Sequence, residues 1–463
     1  MAFDDLLLLA KGLIKGWNKE KLEKKIQETA IEALDNRIKV SELEEILRQK
    51  DDEIRRLKGE KPKPVIKPTS TSDLNPPSKK KHKKSSKKEK IEVDEEVEID
   101  VDEDLPKDAK SVGHREVVIQ EIVFKRRNIR FKLKRYYSKS LGKVFEGQIP
   151  EEFKGREFGP QLISFIMYQF YKNRVTHNKI EKMLSDLGVY VSAGTISSIL
   201  NDLDFEFTDD LLSAEKANFK KCSFAHFDET GAKVNGQNYY TFGLSSPYFT
   251  KFTTLPRKNK DSVKEALYLD GQLRGLKHLI SDDAPNFKGL VRNHQLCWVH
   301  EIRKYKLCEV FKRIESKTLE KLVTIWRGFY KLMKKFRRSP SDDLKKKVES
   351  EFDRIVSIRT LVKPLDKQLD LTKKLKENLL LFLKFPHLPL ENNQIERDLR
   401  ERVIKRKISL QNRSMKGVKA WDLMMSLAST CQKLNLSFWD YLQDRNLKRE
   451  EIPYLGKLVA SAI

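Results

Sequence analysis

The sequence predicts an α+β protein, with a strand-rich centre set between long helical stretches. Three observations lead there. Short apolar runs bounded by turn signals cluster between residues 223 and 299, with Asn235-Gly236 as a hairpin turn among them. Helical spacing of apolar residues dominates on both sides of that region. Finally, the chain of 463 residues is long enough for two or three domains, and its hydrophobic fraction of 39% suffices for a core if some segments lie outside it.

Charge narrows the function. The formal net charge is +25, and 35% of residues are charged. So strong a bias toward one sign points to a polyanionic partner, with nucleic acid as the default. Four cysteines, Cys222, Cys297, Cys308 and Cys431, form no Cys-x-x-Cys pair, which argues against a disulfide scaffold and suits a reducing compartment. The run Leu6–Leu9, followed by Lys11 and Lys15, is too short to span a bilayer and precedes no small-residue cleavage site. A cytoplasmic protein without a membrane partner is expected, associated with the nucleoid if the cell is bacterial.

Six segments are expected along the chain. Residues 1–60 are helical in pattern, with Leu43, Ile46, Leu47, Ile54 and Leu57 spaced either for a short coiled coil or for a lone amphipathic helix. Residues 61–110 form a linker, basic through Lys79–Lys84 and then acidic from Asp94 to Asp104, too poor in apolar surface to fold. Residues 111–220 hold a small β-rich part and a helix-turn-helix. In the β-rich part, Val117–Phe124 and Ile129–Leu133 alternate with basic residues, and Lys125, Arg126 and Arg127 are placed to lie along a DNA backbone. In the helical part, Gly188 ends one helix and Ser192 caps the next, a pattern that occurs with and without DNA contact.

Residues 221–308 are expected to begin the strand-rich core. Strands are expected at Ser223–Asp228, Tyr239–Ser245, Phe249–Leu255, Leu276–Ile280 and Gln295–Val299, with a helix at Asp261–Leu269 and another opened by Pro285. Three antiparallel strands, then helix, strand, helix and strand, is the order of a ribonuclease-H-like domain. In that order Asp228 and Asp282 stand at the ends of adjacent strands. Residues 309–388 read as a helical insertion, with Leu319, Leu322, Trp326, Phe329, Leu332, Met333 and Phe336 on one face. Residues 389–463 complete the core through a helix carrying Glu396. Cleavage of a phosphodiester by two Mg²⁺ (or Mn²⁺) ions about 3.5–4 Å apart needs hard oxygen ligands, which a few carboxylates supply.

These residues carry a resemblance. Phe227-Asp228-Glu229-Thr230-Gly231 with Asn235-Gly236, then Ser281-Asp282 with Cys297-Trp298-Val299-His300 and Arg303-Lys304-Tyr305, resemble the first two catalytic blocks of the insertion-sequence transposases of the sixty-six family. Asn392-Asn393, Glu396-Arg397, Leu399-Arg400 and Arg406-Lys407 resemble the third, and Thr430–Asn435 with Tyr441-Leu442 the closing helices. Four blocks in order, over about residues 115–445, make the likeness specific. It implies a DDE transposase that binds terminal repeats and joins 3′ ends to target DNA with Mg²⁺. A homo-oligomer in the active complex is a separate expectation. The chain departs from the pattern in three places: 101–221 lacks the cysteines of the family's zinc segment, Asp283 stands where Gly is usual, and Glu391 where Asp is usual.

Asp228, Asp282 and Glu396 are thus the expected metal ligands, with Glu391 a rival for the third place. Glu396 also has a bland role open to it, a surface ion pair with Arg400. His300 is expected either to act as a catalytic helper, reaching a phosphate or a metal-bound water near Asp282, or to be a strand-end histidine satisfied by backbone. Asn392 and Asn393 either cap the Glu396 helix or touch phosphates, capping being favoured. Arg397, Arg400, Arg402, Lys405, Arg406 and Lys407 are expected to contact DNA along that helix. A nuclease that cuts without joining, and a DNA-binding protein that has lost catalysis, share these features.

Overall fold

The structure, a computed structural model, describes residues 50, 93–99, 116–269, 272–273, 276–310 and 313–462. Apart from Lys50, the expected N-terminal helix and the basic linker lie outside the described residues. The chain divides into two units, Met1–Gln120 and Glu121–Ile463. In the first, residues 93–99 of the acidic block and 116–120 are exposed and belong to no helix or strand.

The second unit begins with a correction. Residues 121–134 form no strand, and pairing is confined to β1 (Arg135–Ser138) and β2 (Lys143–Glu146), an antiparallel hairpin. Alternation between apolar and basic residues makes a strand possible, but a strand also needs a neighbour to take its N–H and C=O groups. None of the described segments offers one, and Ile122, Val123 and Phe124 are exposed.

Three helices follow, α1 (Pro160–Tyr171), α2 (His177–Asp186) and α3 (Ala193–Asn201). The signals between the last two act as expected. Gly188 takes the left-handed conformation, φ 73°, that closes α2, and the Ser192 hydroxyl accepts the Thr195 N–H to open α3. Helix α4 (Phe205–Lys221) then leads into the sheet.

The sheet has five strands: β3 (Phe224–Val234), β4 (Gln237–Ser245), β5 (Thr250–Leu255), β6 (His278–Ser281) and β7 (Asn293–Leu296). Their order is β5-β4-β3-β6-β7, antiparallel from β5 to β3 and parallel from β3 to β7. Helix α5 (Lys260–Leu267) connects β5 toward β6 and buries Val263, Ala266 and Leu267. Alternation along β3 sets the two faces. Phe227 meets Phe287 on one, while Asp228 is paired with Gly243 on the other. Two strand ends differ from expectation. β3 does not stop at Asp228 but runs on to Val234, held by β4; and β7 stops at Leu296, so that Val299 and His300 lie in a helix. Pro285 opens only a single 3-10 turn, Pro285–Phe287.

That helix, α6 (Trp298–Lys306), with α7 (Arg313–Arg338), α8 (Asp342–Val356) and α9 (Lys363–Lys374), encloses a core of its own around Trp298, Tyr305, Trp326, Phe329 and Phe352. The buried Gln295 amide ties this helical part to β7. Its nitrogen donates to Leu379 O (3.2 Å) and its oxygen accepts the Phe382 N–H (2.9 Å). The short α10 (Lys376–Leu379) precedes α11 (Asn393–Ser409) and α12 (Met415–Lys433), which return to the sheet face that carries Gly243 and Phe252.

Candidate active site

Asp228 sits where the sheet divides. The parallel ladder between β3 and β6 ends at the pair His226 and Ile280, and β3 continues alone with β4. Asp282 follows the last residue of β6 directly. The two carboxylates therefore flank a notch in the sheet, one from each strand. Glu396 comes from the first turn of α11, and Gly243 is what lets that helix approach. A Cβ there would lie 2.5 Å from Ile395 Cδ1.

The electrostatics of Asp228 register the other acids. Burial pushes its carboxyl up, the Glu229 N–H pulls the other way, and the charges of Asp282, Glu229 and Glu396 each push it further, to about 7. Asp282 accepts the Ala284 N–H at 3.2 Å. Glu391, the rival, turns elsewhere, its Oε2 taking the Tyr330 hydroxyl at 2.7 Å. Glu396 Oε1 has no hydrogen-bond partner, and His300 Nε2 stands 3.5 Å from it. His300 is not the backbone-satisfied histidine considered above, since its Nδ1 is buried without a partner.

The neighbouring acids are engaged otherwise. Glu229 forms an ion pair with Lys258, and Asp283 pairs with Lys288 (3.0 Å) and Lys304 (3.2 Å). Simple alternation does not isolate Glu229 completely: burial raises its carboxyl, the Lys258 ammonium pulls it down, and the charge of Asp282, beyond the strand end, adds to the rise. Among the described residues no three His, Cys, Asp or Glu side chains are gathered closely enough to hold one metal ion.

Asn392 holds the parts together in a way its sequence context does not reveal. It occupies the N-cap position of α11 but makes no capping bond. Fully buried, it donates from Nδ2 to Phe227 O (2.9 Å) and meets His226 Nδ1 through Oδ1 (3.0 Å), while its N–H reaches Cys297 Sγ (3.2 Å). One side chain thus joins the Asp228 strand to the start of the Glu396 helix, and its backbone adds the start of the His300 helix. Burial lowers the His226 imidazole to about 4, so it is neutral near pH 7, and raises the Cys297 thiol. A second clamp is Asp398, which takes hydroxyls from Ser245 (2.8 Å) and Thr250 (2.9 Å) and pairs with Lys433 at 3.0 Å. Adjacent Asn392-Asn393 before a helix was the only sequence signal for the first clamp; none pointed to the second.

The basic run divides by face. Arg397, Arg400 and Lys407 are exposed on α11. Arg402 and Lys405 correct the expectation of DNA contact. Arg402 is buried over the Trp421 ring and donates to Thr241 Oγ1, and Lys405 is buried with its ammonium 3.8 Å from the centre of the Phe170 ring. Arg406 is half-buried and bonded to Gly231 O. Helical geometry sends every third or fourth position inward, whatever its charge. Lys125, Arg126 and Arg127 are exposed.

Comparison with known proteins places the chain in a family. The model of the family described as "Transposase IS66 family" matches residues 155–420, which include Asp228, Asp282, His300 and Glu396. A protein of Sinorhizobium fredii (strain NBRC 101917 / NGR234), described as "Uncharacterized protein y4jO", is 41% identical over 185 residues. That alignment covers 40% of this chain and 57% of the relative's length.

Proposed function

The chain belongs to the transposase IS66 family, and on that premise we propose that it cuts DNA at the ends of an insertion sequence and joins the freed 3′ ends to target DNA, with Asp228, Asp282 and Glu396 as its acidic centre. The observation that carries the reading is the convergence of charge on Asp228. Carboxylates from β3, from the end of β6 and from α11 act on one another there, and Asp228 is held near 7. Cations would relieve that repulsion, and an unfavourable cluster of this kind is characteristic of a site rather than a scaffold. The donors are hard oxygens, which suit Mg²⁺ or Mn²⁺, and Glu396 Oε1 has no hydrogen-bond partner. Because Mg²⁺ keeps several waters and shares its shell with phosphates, it needs no closed cage of three protein ligands. When bound, a pair of such ions would neutralise charge on the attacking and leaving oxygens of an in-line displacement.

The chain's own residues supply the rest. Asn392 and Asp398 fix where Glu396 stands relative to Asp228. His300 orients the Glu396 carboxylate and offers a donor to a phosphate oxygen. Arg397, Arg400 and Lys407 line the exposed face of α11 for the DNA backbone, and Lys125–Arg127 add a second basic strip. The strand order β5-β4-β3-β6-β7 supports a ribonuclease-H-like reading of the core, interrupted by the helices of 298–390. Helices α2 and α3 would serve as the end-reading helix-turn-helix; α3 carries no basic residue, so its contacts would come from Ser, Thr and Asn. Two ends must be processed together, which favours more than one copy in the active complex.

The test is a gel assay with DNA carrying the element's ends, a target duplex and Mg²⁺ or Mn²⁺. Wild type should give cleaved ends and joined products, and Asp228→Ala neither, while still binding DNA. Cleavage without joining would replace this reading by a nuclease. Neither product with any divalent metal would leave a DNA-binding protein. Strand transfer persisting in Asp228→Ala would overturn the site.

A further inference from the structure

Helix α6 carries His300 toward the acidic centre, and its other face borders a cavity of about 250 Å³ lined by Val299, Ile302, Arg303, Lys306 and Tyr330. The lining has two parts. Val299, Ile302 and the Tyr330 ring are apolar or aromatic. Arg303 and Lys306 are exposed cations, and among the described residues neither enters an ion pair. Lys304, between them in sequence, is by contrast engaged with Asp283 and Glu301. The Tyr330 ring is held from two directions. Its hydroxyl donates to Glu391 Oε2 at 2.7 Å, and the Lys334 ammonium lies 4.8 Å from the ring centre.

We infer that this cavity receives a single unpaired nucleobase of the DNA being processed, with the adjoining phosphate held by Arg303 and Lys306. The inference rests on the DNA-processing reading above and adds a binding site to it. Size is the first argument. At about 250 Å³ the space is smaller than the roughly 300–1,000 Å³ of sites for drug-sized ligands, and suits one ring system. Chemistry is the second. An aromatic and aliphatic interior takes the face of any base, and cations at the rim take the phosphate that comes with it, which is the pairing found where proteins hold unstacked bases. An apolar side chain from another protein would use the interior but would leave both cations without a partner. Position is the third. Val299 precedes His300 directly, and Tyr330 is bonded to Glu391 in the segment that leads to Glu396, so the cavity borders elements that carry His300 and Glu396.

The experiment uses the full chain and three duplexes matched in length: one blunt, one ending in an unpaired nucleotide, and one whose unpaired nucleotide lacks its base. Binding is read by fluorescence anisotropy. Wild type should prefer the end with the unpaired base over the blunt and abasic ends by about tenfold. Tyr330→Ala and the cavity-filling Ile302→Trp should lose that preference while still binding blunt duplex, and Tyr330→Phe, which keeps the ring, should retain it. Equal affinity of wild type for all three ends overturns the cavity assignment and leaves the DNA-processing reading standing. So does a preference that survives both Tyr330→Ala and Ile302→Trp. Failure to bind any duplex overturns both.

Discussion

Asp228 shows how one residue's environment becomes a measurable property. Its carboxyl is raised in the fold, from 3.8 to about 7, chiefly by burial and then by Asp282, Glu229 and Glu396. A group raised in this way stabilises the fold only while protonated. Its contribution is intact below the unfolded value and is lost as pH rises from 3.8 through about 7. Asp228→Asn should therefore be more stable than wild type above that window, by on the order of 1–3 kcal/mol, with the difference vanishing in acid. Thermal melts across pH would read this directly. If the proposed metals bind, Mg²⁺ should raise the wild-type melting temperature at alkaline pH and leave Asp228→Asn almost unchanged. Asn392 makes a contrasting case at the same scale. Asn392→Ala leaves Phe227 O and His226 Nδ1 unpaired in the interior, a loss of roughly 1–3 kcal/mol for each. The acid in the first position was legible from its motif. The amide in the second was seen, but its role was not, because its partners come from a strand and a helix start far away in the chain.

Elements were legible where local rules decide them. Asn235-Gly236 turns β3 into β4, Gly188 closes α2 and Ser192 opens α3, each through backbone geometry contained in a few residues. Ser192→Ala should accordingly cost about 1 kcal/mol, measured by chemical denaturation. The stretch before β1 misled because strand propensity does not supply a partner. The run of bases on α11 misled for a related reason: charge marks a helix as amphipathic or exposed only on average, and Arg402 and Lys405 are accommodated inside by aromatic rings. The packing of α11 on the sheet yields its own prediction. Gly243→Ala would drive a methyl against Ile395 and displace the helix that carries Glu396. A loss of about 1–3 kcal/mol is expected from overpacking. DNA cleavage should fall more steeply than DNA binding, because the exposed arginines of α11 remain available.

At the scale of the whole molecule, the net charge of +25 makes binding to any duplex dependent on salt. Neutralising Arg397, Arg400 and Lys407 together, as Arg397→Gln, Arg400→Gln and Lys407→Gln, should flatten the slope of log affinity against log salt by up to about 2–3, close to 0.9 for each phosphate contact removed. Lys405→Gln should not flatten it, since that ammonium faces Phe170; its removal should instead lower stability. An unchanged slope in the triple variant would move the DNA path away from α11. No helix among the described residues is long and apolar enough to cross a membrane.

The sequence by itself determined the α+β class, the order of strands around Asn235-Gly236, the residues of the acidic centre as candidates, and membership of a family through blocks that keep their order. These depend on local backbone preference and on residue type, which a linear text preserves. Only the tertiary structure decided that Asp228 lies within a strand at the point where its parallel neighbour ends, that Glu396 rather than Glu391 shares its field, and that Asn392 joins the pieces. It also decided which cations of α11 face solvent. Those outcomes depend on which distant surfaces meet, and on the free energy of burying a charge or leaving a polar group unpaired once they do.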